Sequence, residues 1–193
     1  MSMDRRQAIT AIAAMSASLG IPREVVERAI AHARLATRDS ATDLRFFSQS
    51  EFQLVTTLAD LMIPKDDKSG AASDAKVPEY MDFLCAEYQS TGAWMRGWLA
   101  WVEGNSAGRY QKPFTQLTPA QQTAIFDAIA WPARATAENK EGAQYFNRFR
   151  DLTASGFWSS QMGVQDLQYQ GNTFVMQWNG CPPAAKAKIG VTD

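Results

Sequence analysis

The sequence has very little histidine and cysteine, and this shortage excludes several kinds of site. His32 is the only histidine, and Cys85 and Cys181 are the only cysteines. A zinc site needs several closely spaced His, Cys or carboxylate ligands, which two distant cysteines and one remote histidine cannot supply. Because His32 precedes the main body of the chain, we do not expect catalysis by a core histidine. The cysteines could form one disulfide in an oxidising compartment, but the apolar helical face around Cys85 favours a buried, unreactive thiol.

Excess positive charge, nucleotide-binding motifs and nucleophile motifs are missing as well. The net charge is −1, so the chain has no basic footprint for a nucleic-acid partner. It contains no P-loop, no G-x-G-x-x-G motif after a strand and no G-x-S-x-G elbow. Ser159 and Ser160 have no nearby His or Lys in the sequence to act as a base, so nucleophilic catalysis is not supported.

Aromatic residues, by contrast, are abundant. The 193 residues include six Trp, ten Phe and five Tyr, and 46% of the chain is hydrophobic. This composition fills the core of one domain, and an excess of aromatics is also typical of protein interfaces. Trp94, Trp98 and Trp101 recur at helical spacing, which favours a core or subunit contact over a surface for stacking sugars.

The N-terminus has the order of features of an export signal. Arg5 and Arg6 precede an uncharged run from Ala8 to Ile21, which is too short to span a bilayer but has the length of a signal-peptide core. Paired arginines before such a run are the twin-arginine signature. The alternative is an ordinary N-terminal helix that starts with two arginines. Ser16-Ala17-Ser18 is a small-x-small sequence, although no clear A-x-A cleavage site ends the run.

Periodicity and capping signals predict a mainly α, compact multi-helix domain. Ser48 with Glu51, and Thr118 with Gln121, form capping boxes at two helix starts. We divide the chain into a signal-like segment (1–21), an N-terminal helix and linker (22–45), and a helical domain with an irregular C-terminal tail (46–193). The predicted helices cover Pro22–Ala36, Ser50–Ile63, Pro78–Tyr88, Ala93–Glu103, Pro119–Ala130 and Ala143–Ala154, with a short one around Val164–Leu167.

The loop from Lys65 to Lys76 is acidic. Asp66, Asp67 and Asp74 lie in it, but their spacing does not match a calcium-binding loop. Solvated carboxylates that form turns are the better interpretation.

Two sequence stretches resemble a known family. The first comprises Ile63-Pro64-x-Asp66, Gly70-Ala71 and Val77-Pro78-x-Tyr80-Met81-Asp82; the second comprises Gly156-Phe157-Trp158-Ser159-Ser160, Gly163 and Asp166-Leu167-x-Tyr169-x-Gly171-Asn172. Their order and separation resemble gluconate 2-dehydrogenase subunit 3, the small subunit of membrane-linked flavin sugar dehydrogenases.

The resemblance implies a non-catalytic small subunit of a periplasmic complex. Its partner would be a large FAD-dependent dehydrogenase of the glucose–methanol–choline type, acting on sugars, sugar acids or glycosides and passing electrons to a cytochrome c or another carrier. No cofactor is expected in this chain. FAD belongs to the partner, and haem c or an iron–sulfur cluster is a further candidate cofactor of the complex. The small subunit would supply the twin-arginine signal, stabilise the flavoprotein, and associate with the inner membrane through its complex.

The tail beyond Gly156 is the predicted partner surface. It lacks a helical period and is rich in aromatics, which interface cores favour. The alternative is that the tail covers the chain's own helices. The candidate interface residues are Phe157, Trp158, Tyr169, Phe174 and Trp178. A second function class, a stand-alone sugar-binding protein or enzyme that uses the Trp-rich helix and the acidic loop, remains open at this point.

Overall fold

The computed structural model describes residues 20–35 and 44–167, together with residues 176, 180, 186, 187 and 190. In these residues the protein is all-α, as predicted, and contains no strand. The helices are α1 (Arg23–Leu35), α2 (Gln49–Met62), α3 (Val77–Glu87), α4 (Gln89–Tyr110), α5 (Pro119–Asp127), α6 (Lys140–Ser159) and α7 (Gln161–Asp166). Short 3₁₀ turns at Phe114–Gln116 and Pro132–Arg134 lie before and after α5.

The two predicted capping boxes are present. At the start of α2, the Ser48 hydroxyl accepts from the Glu51 N–H, and the Glu51 carboxylate accepts from the Ser48 N–H at 2.8 Å. At the start of α5, Thr118 and Gln121 exchange the same pair of bonds. Each box satisfies two backbone donors that a helix start would leave unpaired.

Helix α4 is much longer than predicted, because neither glycine that we expected to interrupt it does so. It covers Gln89–Tyr110 and includes Gly92 and Gly104. Gly92 is buried, and a Cβ atom there would lie 2.7 Å from the Cys85 carbonyl oxygen and 2.8 Å from the Phe46 ring. Gly92 is therefore a point where packed elements touch. The free energy of this packing outweighs the poor helix propensity of glycine.

Helix α6 was also underestimated. It runs through Gly156 to Ser159, whereas the sequence analysis ended it at Ala154 and began an irregular tail at Gly156. After one residue, Ser160, the chain forms α7, which is slightly earlier than the short helix predicted around Val164–Leu167. Helix α5 ends three residues before the predicted Ala130, and in the turn that follows it the N–H groups of Ile129 and Ala130 both donate to the Phe126 carbonyl.

The buried carboxylate of Asp82 joins the chain entering α2 to helix α3. It accepts hydrogen bonds from the consecutive backbone N–H groups of Arg45, Phe46 and Phe47, at 2.8, 3.0 and 2.9 Å. A carboxylate with several backbone donors is well stabilised in a buried position. Asp82, a residue of the first motif, thus fixes the chain where it enters α2.

Helix α1 packs on α3 and shares the common core. Its apolar face is buried, with Val26 and Ala29 almost fully enclosed. On its exposed side, Arg28 forms an ion pair with Glu87, while its guanidinium lies 5.7 Å from the centre of the Phe83 ring. His32 is half-buried, with its ring 5.0 Å from that of Phe83.

Candidate functional site

A cleft of about 440 Å³ lies where α1, the start of α3 and the α6–α7 corner meet. Its walls combine apolar, polar and charged side chains from both motif stretches and from α1. The lining residues are Ile30, Ala33, Arg34, Asp74, Ala75, Lys76, Tyr80, Gly156, Ser159, Ser160, Gln161, Met162 and Gln165. Nothing in the sequence alone indicated this cleft, because its walls come from three stretches that lie far apart along the chain.

The inner surface of the cleft is built by Tyr80 and Gly156. A Cβ atom on Gly156 would lie 2.9 Å from the Cδ1 atom of Tyr80 and 3.3 Å from Val77 Cγ1, so a glycine lets α6 approach α3 closely. The Tyr80 hydroxyl lies 3.3 Å from the Ser155 hydroxyl, and either oxygen can donate. The two motifs are thus in direct contact, 76 residues apart in sequence.

The serines beside the cleft serve the helix ends. The Ser159 hydroxyl donates to the backbone carbonyls of Ser155 and Gly156, the latter at 3.1 Å. The Ser160 hydroxyl donates to the Phe157 carbonyl at 2.6 Å and accepts from the Gly163 N–H at 3.0 Å, which caps α7. Both hydroxyls are therefore used in backbone hydrogen bonds at the ends of α6 and α7.

The charges around the cleft are mixed in sign. Lys76, which has a left-handed φ of +64°, pairs with Glu79 at 3.2 Å, and the Asp74 carboxylate accepts from the Ala71 N–H at 3.0 Å. Arg34 lies on the exposed side of α1. This arrangement fits a polar contact surface and shows no concentration of one charge.

Asp66 of the acidic loop forms a turn, as the sequence suggested, and Asp60 of the helix before the loop holds Ser73 later in it. Asp66 accepts from the N–H groups of Lys68 and Ser69, both at 2.8 Å, and these bonds lower the pKa of its carboxyl. Asp60 holds Ser73 through both its backbone N–H and its hydroxyl, at 2.8 and 2.9 Å. Within residues 20–35 and 44–167 no group of three His, Cys, Asp or Glu side chains is placed to hold a metal ion.

The tryptophans of α4 pack inward. Trp98 is fully buried and stacks on Trp101, with ring centres 5.9 Å apart and planes inclined by 10°. Trp101 in turn lies over Gly142 of α6, where a Cβ would be 2.2 Å from Trp101 Cζ2. The tryptophan stripe is therefore an α4–α6 contact, and Trp98 offers no face to a sugar.

Of the predicted interface residues, the structure describes Phe157 and Trp158. Phe157 has no exposed surface, so within this chain it is a core residue and its placement on the surface of an irregular tail was wrong. Trp158 is half-buried and packs edge-on against Phe157, with centroids 4.5 Å apart. Tyr169, Phe174 and Trp178 lie outside the described residues, and so do Arg5 and Arg6 of the signal-like segment.

Exposed apolar side chains mark three places on the described surface. Leu167, which follows α7, is 54% exposed, Trp131, between α5 and α6, is 64% exposed, and Met176, further along the chain, is 91% exposed. Leu167 lies in the second motif, and the chain continues from it toward the remaining predicted interface residues.

Cys85 is a buried thiol, as its helical position indicated. Burial, with a further contribution from the Asp82 carboxylate, raises its pKa far above the ordinary value. Cys181 lies outside the described residues, so the pairing of the two cysteines stays a prediction.

None of the helices in the described part of the chain has the length and apolarity needed to cross a membrane. The twin-arginine segment itself precedes these residues.

Comparison with known proteins identifies the family. No curated protein and no solved structure matches the chain significantly. The family model described as gluconate 2-dehydrogenase subunit 3 matches residues 49–178, which is most of the chain and includes both motifs and the helices that build the inner surface of the cleft. The chain therefore belongs to the gluconate 2-dehydrogenase subunit 3 family.

Proposed function

We propose that this chain is the non-catalytic small subunit of a periplasmic FAD-dependent sugar dehydrogenase, which it exports and stabilises. The observation that carries the proposal is the family match over residues 49–178. The flavoprotein would hold FAD and perform the oxidation, and a cytochrome c or another carrier would accept the electrons. The substrate class is sugars, sugar acids or glycosides.

The chemistry of the described residues supports an accessory role. The serines beside the cleft serve as helix caps, the acidic loop residues form turns, and Trp98 is enclosed in the core. Ser159, Ser160, Asp66 and Trp98 therefore already have structural tasks. These observations favour the accessory subunit over the second function class.

The partner surface that we propose starts at the α6–α7 corner and continues along the chain after Leu167. Trp158 and Met162 are half-buried there, and Leu167 is exposed. Aromatic and Met side chains are enriched in the cores of interfaces, where a few anchors carry most of the binding energy. Tyr169, Phe174 and Trp178 follow directly in sequence.

Co-expression tests the assembly. The full chain, with an affinity tag, is expressed with a large flavoprotein of the glucose–methanol–choline type that is encoded beside it and has no signal of its own. We expect the two to co-purify, with FAD and sugar-oxidising activity in the complex and none in the small chain alone. Turnover by the small chain alone, or a flavoprotein that folds, is exported and remains separate, would contradict the proposal.

A double substitution tests the export role. Arg5→Lys with Arg6→Lys keeps the positive charge but removes the arginine pair that the twin-arginine route reads. We expect the assembled complex to remain in the cytoplasm, with periplasmic activity lost. Arg23→Lys with Arg150→Lys, at exposed positions of α1 and α6 outside the cleft, is the matched control and should be exported normally. Normal periplasmic activity of the Arg5/Arg6 variant would refute the export role.

A further inference from the structure

The walls of the cleft are held in place by contacts that lie outside it. Helix α1 is fixed on α3 in its middle, where Arg28 pairs with Glu87. Just before α1 begins, the Tyr88 hydroxyl donates to the Gly20 carbonyl at 2.9 Å. The cleft is therefore preformed, and ordering its walls would cost a binding partner little free energy.

The cleft combines an apolar lining with a few polar groups. The apolar side chains come from α1, from the turn before α3, and from α3 and α7; they are Ile30, Ala33, Ala75, Tyr80 and Met162. Sites that enclose a ligand or the side chains of a partner typically have this composition. The volume of about 440 Å³ is enough for a few side chains of a peptide segment.

The charged residues of the lining carry one more positive charge than negative. They are Arg34, Lys76 and Asp74. The Asp74 carboxylate accepts from the Ala71 N–H at 3.0 Å and is thus engaged within its own loop. Arg34 is exposed and pairs with no carboxylate in residues 20–35 and 44–167. A negatively charged group on a partner would therefore complement this cleft better than a positively charged one.

Lys76 lies at a position where the backbone would favour glycine. Its φ of +64° is in the left-handed region, which is unfavourable for a residue with a side chain. The ammonium group pairs with Glu79 at 3.2 Å, but pairs between partly exposed side chains contribute little to stability. The ion pair alone therefore does not account for a lysine here. Its place in the cleft does, because it adds a second positive charge to that of Arg34.

We propose that the cleft receives a short segment of the flavoprotein in which an apolar side chain lies next to a carboxylate. The apolar side chain would contact Tyr80 and Met162, and the carboxylate would pair with Arg34 and Lys76. Because the cleft adjoins the α6–α7 corner, it extends the proposed partner surface to α1 and the start of α3. The inference rests on the proposed function, since the occupant belongs to the flavoprotein.

Lys76→Gly separates a role in binding from a role in folding. The change removes a positive charge and relieves the left-handed backbone, so the subunit should unfold at the same or a higher urea concentration than wild type. Its Kd for the purified flavoprotein should rise roughly 5-fold or more, because a charged pair at the interface is lost. Gln111→Gly is the matched control. Gln111 has a φ of +58°, is exposed and lies outside the cleft, so this variant should bind as wild type does.

Arg34→Glu reverses the other positive charge at an exposed position. Its Kd should rise roughly 10-fold or more, because a like charge would then face the carboxylate of the partner. Arg150→Glu, at an exposed position of α6 outside the cleft, is the control and should bind normally. Biolayer interferometry with the full chain and separately purified flavoprotein measures Kd, and circular dichroism checks that the helices are intact.

A photo-crosslinking residue identifies the bound segment. In the assembled complex, p-benzoylphenylalanine replaces Gln161, an exposed residue of the cleft lining, and mass spectrometry locates the crosslink. We expect the crosslink in a flavoprotein peptide that has an apolar residue next to Asp or Glu. The same replacement at Gln111 should give no crosslink to that peptide.

Three results would overturn the inference. Wild-type affinity of either Arg34→Glu or Lys76→Gly would mean that the charges of the cleft do not contact the flavoprotein. Lower stability of Lys76→Gly than of wild type would assign the lysine to folding. A crosslink from position 161 to this chain itself would mean that the cleft is covered from within. In each case a complex still assembles, whereas a wild-type subunit that binds no flavoprotein would contradict the proposed function as well.

Discussion

The ring of Tyr80 lies directly against the backbone of Gly156, so that α3 and α6 are closer than a side chain at residue 156 would allow. Each residue belongs to a different one of the two family motifs. Tyr80 is 2% exposed and has little room to move. The two motifs therefore share one packing contact, and the cleft opens beside it.

Gly156→Ala should destabilise the domain by about 1–3 kcal/mol, because the added Cβ overpacks a buried contact. Alanine's better helix propensity, up to about 1 kcal/mol, offsets only part of this cost. Gly104→Ala in α4 is the matched control. Nothing lies within 4 Å of its Cβ position, so only the better helix propensity of alanine acts, and the free energy of unfolding should rise. Urea denaturation measures both. Equal shifts in the two variants would contradict the packing argument.

Asp82→Asn should lower the free energy of unfolding by at least about 2 kcal/mol. The amide is neutral and has only one oxygen, so it cannot replace a carboxylate that accepts from three consecutive N–H groups. Asp127→Asn is the control, since Asp127 is exposed and makes no hydrogen bond to the described residues. A loss of stability as small as that of the control would mean that these three bonds contribute little.

Cys85 should resist thiol reagents until the protein unfolds. Burial raises its pKa, so the reactive thiolate is scarce in the native protein. A group whose pKa is higher in the folded than in the unfolded state stabilises the fold fully below the unfolded value, about 8.5 for cysteine, and loses that contribution as the pH rises above it. In a Cys181→Ser background we expect labelling of Cys85 to follow unfolding in urea, and the stability to fall above about pH 8.5. Fast labelling of the native protein would refute the burial.

Trp158→Ala should weaken co-purification of the flavoprotein, by about 2 kcal/mol or more if Trp158 is an anchor residue. The helix content should remain the same, because the ring is only half-buried. Trp131→Ala, at the exposed position between α5 and α6, is the matched control and should bind normally. Loss of helicity without loss of binding per folded molecule would assign Trp158 to the core. Weakened binding by Trp131→Ala alone would move the interface to the α5–α6 connection.

Local signals predicted most of the helices but not the lengths of α4 and α6. Ser48 with Glu51, and Thr118 with Gln121, defined helix starts because a capping box depends only on residues three positions apart. One predicted helix began just after Gly92 and another ended just before Gly156, because glycine is a poor helix former. Each is instead where another element approaches the helix, and that partner, Phe46 in one case and Tyr80 in the other, lies far away in sequence.

The proposed partner surface was predictable only in part, because the burial of its residues also depends on elements that are distant in sequence. The composition of the tail pointed to Phe157 and Trp158 alike, and it could not separate the half-buried Trp158 from its buried neighbour Phe157. Because α6 continues through residue 159, these two adjacent side chains point in different directions, Phe157 into the core and Trp158 toward the surface.

The sequence by itself determined the all-α class, the two helix starts that carry capping boxes and the family, because capping, periodicity and motif order depend on residues that are close together in the chain. Only the tertiary structure decided where the helices end, which aromatics are enclosed, and that Tyr88 holds Gly20 at the start of the body. These features depend on contacts between residues as many as 76 positions apart, and the free energy of packing them outweighs the local preferences of the glycines involved.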